Sequence, residues 1–236
     1  YDAWLHGKGW ADNTAAALQR RDASLVAVTQ NPIDAIWQDR PAPSAAPALV
    51  HSDEYAGVSA HEKRAEVAAW LTAKGLDAAV ISALDSVAWL LNMRGSDVDC
   101  TPVALSFVLA HADGTADLFI APEKVTPELA QHLGNAVRVQ DRSAFTPALA
   151  ALAGKKVAVD PERAVAAIYA ELTAAGAEAV SLTDPTVLPK ARKNPVEQAG
   201  HRAAQARDGA AITRFLHWLS NAAPNGSETE LSAAAE

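Results

Sequence analysis

The sequence predicts an α/β fold built on a mixed β-sheet flanked by helices. Three observations carry this expectation. From residue 59 onward, short apolar runs of strand length alternate with stretches of helical period. One pair of runs is joined by Asp113-Gly114, a hairpin signal that makes its two strands antiparallel. The other runs are separated by helical stretches, the connection that parallel strands require.

The elements follow in order. Residues 1 to 20 scatter Trp4, Leu5, Trp10 and Leu18 ahead of Arg20-Arg21, the pattern of a helix or two whose core lies elsewhere. Leu25 to Val28 reads as a short strand, and Asn31-Pro32 opens a helical turn through Trp37. Arg40 to Pro47 is a linker, because Pro41, Pro43 and Pro47 donate no backbone hydrogen bonds and hold the chain extended. Ser59 and Glu62 form a capping box, followed by Val67, Trp70 and Leu71 at helical spacing until Gly75. A strand over Asp77 to Ile81 and a buried helix around Val87 to Leu91 come next. The hairpin pairs Val103 to Ala110 with Ala116 to Ile120. Thr126-Pro127 caps a helix to about Leu133, Val137 to Val139 is a strand, and Thr146 to Leu152 is helical. Lys156 to Val159 is a strand leading through Asp160-Pro161 into a helix over Glu162 to Ala174, and Val180 to Leu182 is the last strand. Asn194-Pro195-Val196-Glu197 then caps a long helix on which Ala203, Ala210, Ala211, Phe215, Trp218 and Leu219 line one side, ending near Pro224. These changes of texture divide the chain into residues 1–50, 51–187 and 188–236. The chain opens on Tyr1 with its one methionine at Met93, and a Ser227/Glu230 capping box starts a helix only about two turns before Glu236. It therefore reads as a piece of something longer.

Composition excludes several classes. Twenty Lys and Arg against twenty-eight Asp and Glu give a net charge of −8 over 236 residues, which argues against a nucleic-acid partner, since that affinity rests on clustered basic groups. No apolar run approaches the roughly 20 residues of a membrane-spanning helix. With Cys100 alone, no internal disulfide forms, as expected of a cytoplasmic protein.

The chemistry-bearing residues are sparse. No His-Glu-x-x-His motif is present, and His6, His51, His61, His111, His132, His201 and His217 read as solvated surface. His201 and His217 share one helix, but sixteen residues separate them by roughly 24 Å of rise. Glycine-loop nucleotide motifs and the Gly-x-Ser-x-Gly elbow are also missing, and Cys100 reads as a partly buried, unactivated thiol. Six tryptophans, Trp37, Trp70, Trp89 and Trp218 among them, read as packing residues. One cluster stands out: Asn92-Met93-Arg94-Gly95-Ser96-Asp97, directly after the most apolar stretch. Arg94 and Asp97 there suit recognition of a substrate carboxylate, or alternatively an internal Arg94–Asp97 ion pair that pins the loop.

Several segments together resemble the three-domain Xaa-Pro aminopeptidases of the creatinase and pita-bread metallopeptidases. They are Asn31 to Pro41, His51 to Ser59, and above all Ser82 to Asp97 with Pro102 and Ser106. Lys193 to Glu197, Arg207 to Ala211 and Phe215 to Leu219 continue the likeness in the right order. The resemblance implies a creatinase N-terminal-like middle domain, preceded by the remnant of a similar domain and followed by the first helices of a truncated pita-bread catalytic domain. It implies a cytoplasmic, homodimeric enzyme that cuts peptides with proline at the second position, using two divalent metals, usually manganese. The metal ligands of such an enzyme would lie beyond Glu236, so the expectation is no catalytic and no metal-ligating residue here, no bound metal, and no activity of these 236 residues alone. Arg94 and Asp97 become candidate substrate-binding residues at the entrance. Two other readings are a noncatalytic α/β interaction or dimerisation module and a prolidase- or creatinase-like hydrolase; the long region before residue 59 argues against the latter.

Overall fold

A computed structural model describes residues 1–235. The chain forms two compact units, one of Tyr1–Asp53 with Val58–Arg192, the other of Glu54–Gly57 with Lys193–Glu236.

The first unit is organised by its sheet. Helices α1 (Lys8–Gln19) and α2 (Pro32–Ile36) precede the short strand β1 (Leu49–Val50), and α3 (Asp53–Ala56) leads to α4 (Ala60–Lys74). Ser59 and Glu62 close the expected capping box on α4, and Gly75 ends it in the left-handed region at φ 66°, which suits a residue without Cβ. Strand β2 (Ala78–Ile81), helix α5 (Leu84–Leu90) and strand β3 (Met93–Arg94) follow, then the hairpin β4 (Ser106–His111) and β5 (Ala116–Ile120). Helix α6 (Pro127–Leu133), strand β6 (Val137–Gln140), helix α7 (Phe145–Ala150), strand β7 (Lys156–Val159), helix α8 (Ala166–Ala174), strand β8 (Glu178–Ser181) and helix α9 (Val187–Ala191) complete it.

Six strands lie in the order β6-β5-β4-β2-β7-β8. β4 runs antiparallel to both β2 and β5, whereas β2–β7, β7–β8 and β5–β6 are parallel, so the sheet is mixed as the sequence predicts. Val80 sits opposite Leu109 on one side and Val159 on the other. The period of two sends Ala79 and Ile81 to one face with Val67, Leu71, Leu90 and Leu129, and Ala78 and Val80 to the other with Phe145, Leu149, Ile168 and Leu172. Helices thus cover both faces of β2, and all four of its residues are buried.

Two local expectations fail for identifiable reasons. Leu25 to Val28 forms no strand: its β-favouring residues meet no ladder, and the segment is held by Val28 N–H donating to Tyr1 O at 2.8 Å and the Tyr1 ammonium donating to Val26 O at 2.7 Å. The helix expected from Glu162 begins at Ala166, because Asp160 accepts from Glu162 N–H and from Asp184 N–H, 2.9 and 2.8 Å, while Val165 stays extended and bridges Gly7. The amino-terminal segment docks along that start, with Ala166 N–H donating to His6 O and Ala167 N–H to Ala3 O, both at 2.9 Å.

The second unit is mainly α10 (Pro195–Ala222), capped reciprocally by Asn194 and Glu197. Asn194 Nδ2 donates to Ala56 O at 2.7 Å. Phe215, Trp218 and Leu219 are half-buried, while the expected Ala203, Ala210 and Ala211 are exposed. A capping box near the carboxyl end exists, but Thr229 and Ser232 form it rather than Ser227 and Glu230, opening α11 (Glu230–Ala233). Glu236, the last residue of that expected helix, lies outside the described residues.

One polar cluster is built into the sheet. Asp117 on β5, its side chain 5% exposed, accepts from Arg138 Nε at 2.5 Å and Nη2 at 2.9 Å and from Gln140 Nε2 at 3.1 Å, with His111 Nε2 2.9 Å away. Burial alone would raise this carboxyl, but the hydrogen bonds from Arg138 and His111 outweigh it and hold the group below the usual carboxylate range. A depressed folded-state value adds stability above the unfolded value and loses it as pH falls through the folded one. Asp117→Asn is expected to cost about 1–2 kcal/mol at neutral pH, discounted for the exposure of Arg138. The gap from the parent protein should narrow as urea unfolding is repeated from pH 7 toward pH 3; a gap independent of pH would refute the assignment.

Candidate functional site

The loop from α5 to β4 carries the residues singled out in the sequence, and its geometry begins with Asn92. Helix α5 stops at Leu90, and Asn92 takes the left-handed conformation at φ 47°, which asparagine tolerates better than most residues. Asn92 is fully buried and fully employed. Its Nδ2 donates to Asp53 Oδ1 at 3.0 Å and to Val58 O at 2.9 Å, its Oδ1 accepts from Lys63 Nζ at 2.6 Å, and its backbone oxygen accepts from His51 N–H at 2.8 Å. Lys63, 3% exposed, also donates to Trp89 O at 3.0 Å and lies 4.4 Å from the Trp89 ring centroid. A buried ammonium is tolerable because carbonyl oxygens and an aromatic face replace its water.

After Asn92 the chain forms β3, which pairs with β1 so that Met93 faces Val50 and Arg94 faces Leu49. The Arg94 Nη1 turns back on α5, donating to Ala88 O at 3.2 Å and Met93 O at 2.9 Å; a cation beside the last helical carbonyls is favourable there. Gly95 is packed so closely on Ala104 that a Cβ would stand 2.7 Å from the alanine methyl. Asp97 points inward instead, its side chain only 1% exposed: Oδ2 accepts from Leu105 N–H at 2.7 Å and Oδ1 is ion-paired with Lys124, itself 4% exposed. Burial pushes the Asp97 carboxyl up, but Lys124, Leu105 and Ser44 together hold it below its ordinary value.

Arg94 and Asp97 therefore share a loop but take different partners, and the ion pair that pins the loop joins Asp97 to Lys124. Sequence reasoning named Asn92 only as part of the polar cluster and missed Lys63 and Lys124. Asn92 had a signal, since asparagine immediately after a helix is a common left-handed stop. Lys63 and Lys124 had none, being 29 and 27 residues from their partners. Cys100 differs from expectation as well: it is exposed, in the left-handed region at φ 57°, at a turn closed by the Val98–Thr101 bridge. His111 and His132 are not simply solvated either, His132 Nε2 lying 2.9 Å from Leu91 O. Trp4, Trp10 and Trp37 are exposed rather than in the core, though Trp4 meets the Phe145 ring edge-on, Trp10 lies against His6 and Arg40 stands over Trp37. Among the described residues, no group of three or more His, Cys, Asp or Glu could hold a metal ion, and no helix is long and apolar enough to cross a membrane.

The mixed sheet covered by helices on both faces, with this braced loop after α5, defines the class. The chain belongs to the creatinase/prolidase N-terminal domain family, which it matches over residues 39–197. It is 39% identical over 220 residues to a probable Xaa-Pro aminopeptidase P of Aspergillus clavatus, covering 89% of this chain and 33% of that protein. A second such protein, from Neosartorya fischeri, is 38% identical over 213 residues, covering 86% of this chain and 32% of its own. The chain thus spans about a third of the length of the curated relatives it matches. Among solved structures it resembles the X-prolyl aminopeptidase of Caenorhabditis elegans, described as a cytosolic enzyme with a di-nuclear active site. The TM-score there is 0.87 at 27% identity, over 99% of this chain and 39% of that one. The fold, though little of the sequence, is also that of a Bacillus anthracis Xaa-Pro dipeptidase, with TM-score 0.52 at 15% identity over 68% of this chain and 44% of that one.

The buried Asp97–Lys124 pair should behave as a unit. Lys124→Met leaves a carboxylate buried without its counter-ion and is expected to cost about 3–5 kcal/mol. Adding Asp97→Asn, which keeps an acceptor for Leu105 N–H, should recover part of that loss. Additive costs in a double-mutant cycle, measured by chemical denaturation, would contradict the pairing.

Proposed function

We propose that this chain is the scaffold part of a metal-dependent aminopeptidase that hydrolyses the N-terminal Xaa-Pro peptide bond. The observation that carries the reading is its likeness, over 99% of its length, to the X-prolyl aminopeptidase of Caenorhabditis elegans. The identity of 39% and 38% to the two fungal aminopeptidase P relatives supports the same activity. In this reading residues 1–50 close a first domain, 51–187 are the middle domain, and 188–236 open a pita-bread catalytic domain. The whole protein is a cytoplasmic homodimer that uses two divalent ions, manganese by preference, on peptides with proline in second place.

The residues of this chain do not fit the ion pair. The described residues include no cluster of three or more candidate ligands, and His201 and His217 stand too far apart on α10 to share an ion. No step of the hydrolysis is therefore routed through these side chains. What they supply is support. Asp97, neutralised by Lys124, fixes the loop after α5, and that loop carries Arg94 at the substrate entrance. Its guanidinium donates to the carbonyls of Ala88 and Met93, and a guanidinium is the group suited to a peptide carbonyl or carboxylate. Asp97 acts on substrate through the loop.

Two measurements test this. The intact protein should cleave Arg-Pro-Pro after its first residue and stop doing so on chelation, whereas residues 1–236 alone should neither cleave it nor retain stoichiometric manganese after desalting. Cleavage by residues 1–236 alone, or an intact protein confined to dipeptides, would overturn the proposal. In the intact protein, Arg94→Ala should raise KM for the tripeptide about five- to tenfold, equivalent to about 1–1.4 kcal/mol, alongside a small loss of thermal stability from its bonds to Ala88 O and Met93 O. An unchanged KM would remove Arg94 from the entrance.

A further inference from the structure

Beside α4 lies a cavity of about 400 Å³ within the first unit, and no role proposed above uses it. Its walls include Trp70, Trp89, Pro185 and Leu188, with Glu66 and Asp184 among its polar groups. Both indoles are half-buried, an arrangement that offers flat, electron-rich surface to a ligand. The polar groups carry the argument. Asp184 is 5% exposed; its Oδ1 accepts from Thr186 N–H at 2.8 Å and Thr186 Oγ1 at 2.7 Å, while its Oδ2 accepts nothing among the described residues. That oxygen is not among the buried side-chain atoms left without a partner, so it is open to a donor from outside the chain. Glu66 is exposed and makes no hydrogen bond or ion pair among the described residues. The positive group in the lining, Lys63, is committed to Asn92 Oδ1 and Trp89 O. Two carboxylates against one engaged ammonium leave the lining one negative charge in excess, while Lys74 stands outside the lining, 5.5 Å from the Trp70 ring centroid.

We propose that this cavity is a binding site for a small hydrophobic primary amine, its ammonium directed at Asp184 and Glu66 and its apolar body held against Trp70 and Trp89. The volume lies in the range of small-molecule sites and suits a body of about ten heavy atoms. Carboxylates and aromatic faces together are the combination that recognises organic cations. The inference is independent of the peptidase reading, because it uses none of the residues of the α5–β4 loop assigned to substrate.

The test is calorimetric titration of the intact protein with three probes of one shape and different charge: phenethylammonium, 2-phenylethanol and 3-phenylpropionate. The amine should bind at least tenfold more tightly than the alcohol, with the carboxylate weakest. Glu66→Gln should weaken the amine about fivefold and leave the alcohol unchanged. Asp184→Asn, which keeps the Thr186 acceptor but places an amide donor where Oδ2 was, should abolish the preference for the amine. Trp70→Ala should weaken amine and alcohol alike, with circular dichroism reporting whether the fold survives; Glu66→Gln, at an exposed position, serves whether or not the other variants fold. Equal binding of the three probes, tightest binding of the carboxylate, or no heat from the amine at 10 mM would each overturn the proposal.

Discussion

Strand β2 is the constraint on which the first unit depends. Its four residues are buried on both faces, and it joins an antiparallel neighbour, β4, to a parallel one, β7. A strand in that position must be apolar throughout, because any polar side chain would be desolvated whichever way it pointed. Ala78-Ala79-Val80-Ile81 meets the demand with small residues at one end and branched ones at the other. Helices α4 and α5 can then pack on one face while α7 and α8 pack on the other. A one-residue slip of β2 would exchange these two sets of contacts, so its register is specified by both layers at once.

The apolar layers do not by themselves fix the loop that follows α5. That is done by two buried lysines. Lys63 engages the side chain of Asn92 and the carbonyl of Trp89, tying the end of α5 to the start of α4; Lys124 neutralises Asp97 and ties the same loop to the segment before α6. Each ammonium is costly to bury and is compensated by a geometry that only the native loop provides. Burial of this kind contributes little net stability compared with an apolar substitute, but it penalises alternative loop conformations. In the proposed reading, where this loop presents the guanidinium of Arg94, that arrangement serves better than additional hydrophobic area.

Much of this architecture was legible in the sequence because it is written in short-range signals. The Ser59 and Asn194 caps, the Gly75 stop and the Asp-Gly hairpin each act within about four residues, and all form where expected. The misread elements are those decided at longer range. Leu25 to Val28 has strand composition but no ladder, and Asp160, which accepts from Glu162 N–H with one oxygen, is tied by the other to Asp184 N–H, 24 residues on, while the helix starts only at Ala166. Near the carboxyl end two overlapping capping patterns compete, and Thr229 with Ser232 prevails over Ser227 with Glu230. At the site, Arg94 and Asp97 were visible as a polar loop after an apolar helix, but the pairing of Asp97 with Lys124 was not, since nothing local links the two.

The second unit bears on how the chain should be divided. Helix α10 has 28 residues and no buried position, yet Phe215, Trp218 and Leu219 give it an apolar side, with Ile212 and Leu216 exposed nearby in the sequence. A helix of that length is stabilised in water chiefly by packing its apolar stripe, not by propensity, and the unit to which it belongs supplies little surface for the purpose. The sheet unit, by contrast, encloses its two cores between its own layers. This difference is physical support for assigning α10 to a separate domain, as the proposed division does. The histidines of α10, His201 and His217, are spaced along the rise of that one helix, whereas an ion site needs its ligands brought around one point.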